Sequence, residues 1–124
     1  MSERSAIILF AHGARDPQWA HPFQQIQRLV SKALPDRTIE LAFLERMSPD
    51  LATAVAHVAQ QNVNRVTVVP LFLGAGGHVK EDVAALVRNL EQRYPALQLH
   101  VTSPIGEDQE LVAAIASWVV RQHG

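Results

Sequence analysis

Apolar residues in this chain come in short unbroken runs that alternate with longer stretches where they recur every three or four positions. Ala6 through Ala11 is continuously apolar, the pattern of a strand buried on both faces of a parallel sheet, and it breaks at His12-Gly13. Asp16-Pro17 then offers an N-cap followed by proline at the first helical position. Trp19, Phe23, Ile26, Val30 and Ala33 follow at helical steps, which predicts a helix closed before Pro35. Thr38 through Glu45 alternates, with Ile39, Leu41 and Phe43 on one face and Glu40 on the other, as in a half-exposed edge strand with Glu45 at its end. Ser48-Pro49 repeats the cap signal before a second helix whose stripe is Leu51, Val55, Val58 and Ala59. The rest divides into a third strand from Arg65 to Leu73 and a third helix from Val79 to Tyr94 with Val83, Leu86, Val87 and Leu90 inward. A fourth strand from Leu97 to Thr102 and a last helix from Glu107 to Gln122, carrying Leu111, Ile115, Trp118 and Val119, close the pattern.

Strands alternating with helices across short turns imply parallel pairing and right-handed crossovers. The predicted fold is a three-layer α/β/α sandwich on a four-stranded parallel sheet, flavodoxin-like, in one domain spanning residues 1–124. Order 2-1-3-4 centres the two most continuously apolar strands and leaves the alternating second strand at an edge. Pro70 sits awkwardly in a central strand, where an amide hydrogen is wanted, so the ladder is expected to be ending there.

Composition narrows the chemistry mainly by what it lacks. The 124 residues contain no cysteine, which removes disulfides, thiolate nucleophiles and thiolate metal sites and leaves histidine and carboxylates as the strong metal ligands. A net charge of -1 with 19% charged residues suggests neither a nucleic-acid nor a membrane surface. The start from Met1 to Arg4 is polar and the apolar run behind it short, so neither a signal peptide nor a membrane span is expected, and a cytoplasmic setting is.

The order 2-1-3-4 reverses direction between the first and third strands, which puts their carboxyl ends at the crevice where α/β sheets bind ligands. His12 lies at one of these ends and His78 at the other, behind Gly74-Ala75-Gly76-Gly77, while Glu45 ends the neighbouring second strand. Two imidazoles and a carboxylate at one rim suit a borderline divalent ion and leave coordination positions open for exchange. Arg15, Arg46 and Lys80 each follow one of the three, and the amides of Gly76 and Gly77 add partial positive charge, so an anionic ligand is expected there. Alternatively, Glu45 pairs only with Arg46, the cations are solvated surface, and the glycines exist to permit positive φ. His21, His57, His100 and His123 fall in helices, the last strand or the tail and are set aside as structural or solvent-exposed. Trp19 and Trp118 are assigned to the core or to a dimer contact.

His12-Gly13-Ala14-Arg15-Asp16-Pro17, Phe43-Leu44-Glu45 with Pro49 beyond it, and Pro70-Leu71-Phe72-Leu73-Gly74-Ala75-Gly76-Gly77-His78-Val79 with Asp82 resemble the short form of the CbiX/SirB sirohydrochlorin chelatases. The resemblance covers nearly the whole chain in the right order. It implies a class II chelatase that inserts a divalent metal, Co²⁺ first and Fe²⁺ or Ni²⁺ otherwise, into a tetrapyrrole, with no ATP and no organic cofactor. It further implies that His12 and His78 hold the metal while Glu45 assists, and that short forms pair as homodimers around the macrocycle whereas longer relatives carry two such domains. Sirohydrochlorin bears several carboxylates, for which Arg15, Arg46, Lys80 and the amides of Gly76 and Gly77 are candidate anchors. Phe10, Phe72 and Leu73 are candidate apolar walls for its ring.

Three other functions compete. A metal or tetrapyrrole carrier would use the same histidines without turnover. A nucleotide-binding module is disfavoured because the glycines follow the third strand and match neither common phosphate-loop pattern. A phosphoryl-transfer enzyme with His12 as nucleophile would want an arginine beside that histidine, yet Ala11 precedes it and Arg15 lies three residues on.

Overall fold

The computed structural model describes residues 4–123. Four parallel strands, β1 (Ser5–Ala11), β2 (Thr38–Phe43), β3 (Arg65–Pro70) and β4 (Gln98–Val101), form one sheet in the order β2-β1-β3-β4, as the apolar patterning predicts. The helices are α1 (His21–Ala33), α2 (Leu51–Ala59), α3 (Gly77–Arg93) and α4 (Gln109–Val120). Strand alternation splits β1 between two cores. Ile8 and Phe10 pack with Val66, Val68 and the inward residues of α2 and α3. Leu9 and Ala11 pack with Ile39, Leu41, Phe43 and the half-buried Trp19, Phe23 and Val30 on the α1 side.

Several boundaries shift for identifiable reasons. Asp16 does cap, accepting from the Gln18 N–H at 2.9 Å, but what it caps is a 3-10 turn over Pro17–Ala20. Pro22 has no N–H to bond the Gln18 carbonyl, which His21 takes instead, so the α-helix proper begins only at His21. The cap of α2 is Asp50 rather than Ser48, since its carboxylate accepts from the Thr53 N–H at 2.8 Å. The Pro49 carbonyl is meanwhile taken by Phe43 at the end of β2, so β2 stops at Phe43 and Glu45 lies two residues beyond it.

β3 ends at Pro70 rather than Leu73, and the proline is accommodated by its register. Leu71 donates to the Phe10 carbonyl at 2.8 Å, so the N–H that Pro70 lacks would have pointed to the opposite side, past the end of β4 at Val101. α3 starts two residues earlier than the apolar stripe indicates. Gly76 caps it and Lys80 bonds the Gly76 carbonyl at 3.2 Å, which puts His78 in its first turn. β4 is shorter at both ends than predicted, and α4 begins after a 3-10 turn over Ile105–Glu107, capped by Asp108 on the Leu111 N–H at 3.0 Å.

Beyond the strand ends the backbones of β1 and β2 stay in contact. Leu44 donates to Ala11 at 2.9 Å and Glu45 to His12 at 3.1 Å. Gly13 makes that approach possible: its φ is +98°, and a Cβ at this position would lie 1.8 Å from the Glu45 carbonyl oxygen. Only glycine fits there.

Two outcomes follow from these local structures. Gly13→Ala meets both a left-handed φ and a backbone clash, so it should destabilise by about 3 kcal/mol in denaturant titration. Asp50→Ala should cost about 1 kcal/mol by the same measurement. The Thr53 side chain and then its backbone N–H hold the Asp50 carboxyl below its ordinary value of 3.8. Since that folded pKa is depressed, the cap's contribution is present above the unfolded value and is lost as pH falls through the folded one. Asp50→Asn should accordingly flatten the loss of stability below about pH 4.

Candidate functional site

β1 and β2 deliver His12 and Glu45 to the same rim, and there the two side chains meet. The imidazole Nε2 lies 3.0 Å from Glu45 Oε1, with about half of each side chain exposed to solvent. An ionised carboxylate only accepts, so Nε2 carries the hydrogen of this bond, and in the neutral ring the lone pair is then on Nδ1. Arg46 Nε stands 3.9 Å from the same carboxylate oxygen, and Arg46 has φ +67°, which turns the chain sharply after Glu45. The His12 ring also meets the edge of Phe72, centroids 6.1 Å apart at 69°, and Phe72 in turn packs on Phe10 at 5.8 Å. The imidazole is thus held by a carboxylate on one side and an apolar ring on another.

His78 arrives from the adjacent strand by way of the glycine loop. Exposed in the first turn of α3, it makes no hydrogen bond, ion pair or ring contact with His12 or Glu45. Among the described residues no three histidine or carboxylate side chains are gathered closely enough to hold a metal ion together. One copy of the chain therefore presents a preformed His12–Glu45 pair with His78 apart from it.

The remaining candidates divide by what they touch. Arg15 is exposed in the loop after β1 and has no partner among the described residues. Lys80 is engaged: its Nζ lies 2.7 Å from Glu107 Oε2, in the turn that precedes α4. Gly76 and Gly77 are exposed at the start of α3, and a Cβ at Gly74, Gly76 or Gly77 would meet nothing within 4 Å. Gly13 is the only glycine of positive φ among the described residues, so the positive-φ explanation fails for the loop before His78. What the absence of side chains does there is leave amides uncovered at a helix N-terminus.

Of the three expected walls, Phe10 is fully buried and cannot face a ligand, Phe72 is nearly so, and Leu73 is 60% exposed. An apolar groove of about 330 Å³ opens beside them, lined by Phe72, Val79, Val83 and Val101 with Lys80 and Arg88 among its residues. The excluded histidines are all exposed, and His57 bonds Glu40 away from this rim. Of the two tryptophans assigned to the core or a dimer contact, Trp19 is half-buried and packs on Phe23 and Phe43 at the core's edge, whereas Trp118 is 57% exposed.

Sequence reasoning missed two contacts that shape the site, Gly13 against Glu45 and Lys80 with Glu107. A glycine directly after a strand-end histidine was the available signal for the first. Nothing local announces the second, because it joins residues from two different turns.

The family model described as CbiX matches residues 6–122. A sirohydrochlorin cobaltochelatase of Methanococcoides burtonii is 31% identical over 88 residues, covering 71% of this chain and 67% of the relative. A sirohydrochlorin ferrochelatase of Bacillus subtilis is 27% identical over 112 residues, or 90% of this chain but only 43% of the relative, so this chain spans less than half of that protein's length. Among solved structures, a CbiX protein from Marinobacter aquaeolei superposes with a TM-score of 0.84 at 33% identity, covering 95% of this chain and 96% of that one. SirB from Bacillus subtilis with Fe³⁺ gives 0.79 at 26% identity, covering 92% and 45%. With a family model that runs almost end to end and a solved relative of like size on the same fold, the chain belongs to the CbiX family.

Proposed function

We propose that this protein inserts a divalent metal ion into sirohydrochlorin without ATP or an organic cofactor, with the metal as substrate. The observation that carries the proposal is the His12–Glu45 pair at the carboxyl rim of the sheet, in a family whose relatives are named sirohydrochlorin cobaltochelatase and ferrochelatase. Because relatives of both kinds match, Co²⁺ and Fe²⁺ belong in the test, with Co²⁺ placed first and Ni²⁺ added on the family resemblance alone, and the tetrapyrrole pathway served follows from the metal. The protein acts in the cytoplasm in this proposal; no helix of the described residues is long and apolar enough to cross a membrane.

Metal insertion needs an ion stripped of water, two pyrrole protons removed and the product released. A closed four-ligand site would keep the ion, whereas an exposed imidazole with one free nitrogen lets it go. His12 suits that role because Glu45 binds Nε2–H and leaves Nδ1 to meet the metal or to take a proton, the arrangement in which a carboxylate orients a ligating histidine and raises its basicity. His78, without a partner among the described residues at the start of α3, supplies the second imidazole.

Anchoring falls first to Arg15 and to the amides of Gly76 and Gly77, which are uncommitted in this structure. Lys80 and Arg46 reach a substrate carboxylate by exchanging it for Glu107 and Glu45. The groove of about 330 Å³ is at the small end for a ligand pocket and is lined by neither His12, Glu45 nor His78, so in this reading the macrocycle lies over the open rim and a second copy of the chain closes the site from the other side.

Purified protein incubated anaerobically with sirohydrochlorin and each metal in turn should change the absorbance faster than a protein-free control with at least one of them. Rates no faster than the protein-free control with all three would refute the activity and leave a carrier role. His12→Ala and His78→Ala should each lower turnover by more than about 100-fold with an unchanged circular dichroism spectrum, and Glu45→Gln by about 10- to 100-fold. Arg15→Ala should raise KM for sirohydrochlorin at nearly constant kcat; a KM equal to the parent's would return Arg15 to the solvated surface.

A further inference from the structure

Three adjacent strands start at the pole of the sheet opposite His12, about 20 Å away along β1, and each starts at an arginine. Arg4 immediately precedes β1, Arg37 immediately precedes β2, and Arg65 opens β3. Strand register decides how two of them stand. Ser5 pairs with Arg65, and Ala6 pairs with Thr38, which sets Arg37 level with Ser5 on its other side. With neighbouring strands about 4.8 Å apart, Arg37 and Arg65 flank Ser5 with their Cα atoms about 10 Å from each other. Alternation sends all three side chains to the α1 face, because Ile7, Ile39 and Val69, an even number of residues further on, pack there.

The result is a recess of about 760 Å³ bordered by Arg4, Arg37 and Arg65, with Ser5 and Thr67 in its lining and Asp36 as its one acid among the described residues. Arg37 is exposed and its side chain has no partner among the described residues, while its backbone is fixed by a bond to the Leu34 carbonyl at 3.1 Å. Arg4 gives one of its five N–H groups to the Gln61 carbonyl at 3.1 Å. Arg65 is engaged, with one long bond to Gln98 Oε1 at 3.5 Å, and adds charge from the far side. Ser5 and Thr67 are half-buried and their hydroxyls have no partner among the described residues. On β4, Gln98 lies level with Arg65 and the exposed His100 level with Thr67, so the polar surface continues to the edge of the sheet. Like charges gathered this way repel, and an anion shared among them removes the repulsion.

We propose that this recess binds the phosphate group of a small molecule, at a site separate from the metal rim. The donors decide the class of ligand. Guanidinium forks beside two hydroxyls offer more hydrogens than one carboxylate accepts, and the Asp36 charge on the border opposes a weakly charged anion. A phosphate group brings nearly two negative charges and three strong acceptor oxygens, enough for Arg37, Arg4 and both hydroxyls at once. The volume lies within the range of small-molecule sites and exceeds a bare phosphate, so a phosphate ester or a diphosphate fills it better. None of its lining residues belongs to the rim that carries His12, Glu45 and His78, so the site stands or falls independently of metal insertion.

Calorimetric titration of the full chain with pyrophosphate and with ribose 5-phosphate should show saturable binding of both, and citrate should bind more weakly than either. Arg37→Gln, at an exposed position that leaves the fold intact, should weaken pyrophosphate by about 10-fold or more. Arg88→Gln on α3 and Arg15→Ala at the rim, both exposed and outside the recess, should stay within about two-fold of the parent. In the parent protein, pyrophosphate should move the amide resonances of Ser5, Arg65 and Thr67 and leave those of Gly76 and Gly77 in place. Any of four results would overturn the site: no saturable binding up to about 10 mM pyrophosphate, citrate bound as tightly, an equal loss in Arg88→Gln, or shifts confined to Gly76 and Gly77. The last would put the anion on the glycine loop of the metal rim instead.

Discussion

The backbone contact between the ends of β1 and β2 sets the position of the chemistry. Parallel ladders normally finish where the strands do, yet here Leu44 and Glu45 go on bonding Ala11 and His12 past both ends. That zipper carries the carboxylate of one loop to the imidazole of the next, and it closes only because position 13 has no side chain. The His12–Glu45 bond is thus a product of backbone geometry first and of side-chain attraction second. With both groups half exposed, the attraction alone would be too weak to order two loops.

The order of the strands was legible because burial leaves different signatures in different strands. Ala6–Ala11 is apolar without interruption and became the centre; Thr38–Phe43 alternates and became the edge. Pro70, the one conflict, resolved through the direction its missing hydrogen would have taken. Helix starts were less legible. Both proline-based cap signals pointed slightly too early, since a second proline at 22 delayed α1 and Asp50 displaced Ser48 as the cap of α2. Such signals report that a helix begins nearby, while the residue that wins depends on which carbonyl and N–H groups the neighbouring strands have already taken.

The site was legible as a set of residue types at strand ends and not as a set of contacts. Two neighbouring strands sufficed to bring Glu45 to His12, whereas Lys80 was expected to wait for an anion and instead holds Glu107. Phe10 was expected to face a ligand and instead lies in the core beneath Phe72. Periodicity likewise marked Ile115, Trp118 and Val119 as one face of a helix, but a period says that a face is apolar and is silent on what covers it.

The unpacked α4 bears on how gene fusion would affect such a fold. An exposed apolar stripe of that kind favours association as the concentration of the chain rises, and dilution reverses it. Two copies joined head to tail would meet on one polypeptide, replacing bulk concentration with an effective concentration of about millimolar for a short linker. This chain covers 45% and 51% of the two SirB chains it superposes on, which leaves each of them room for a second stretch of its length.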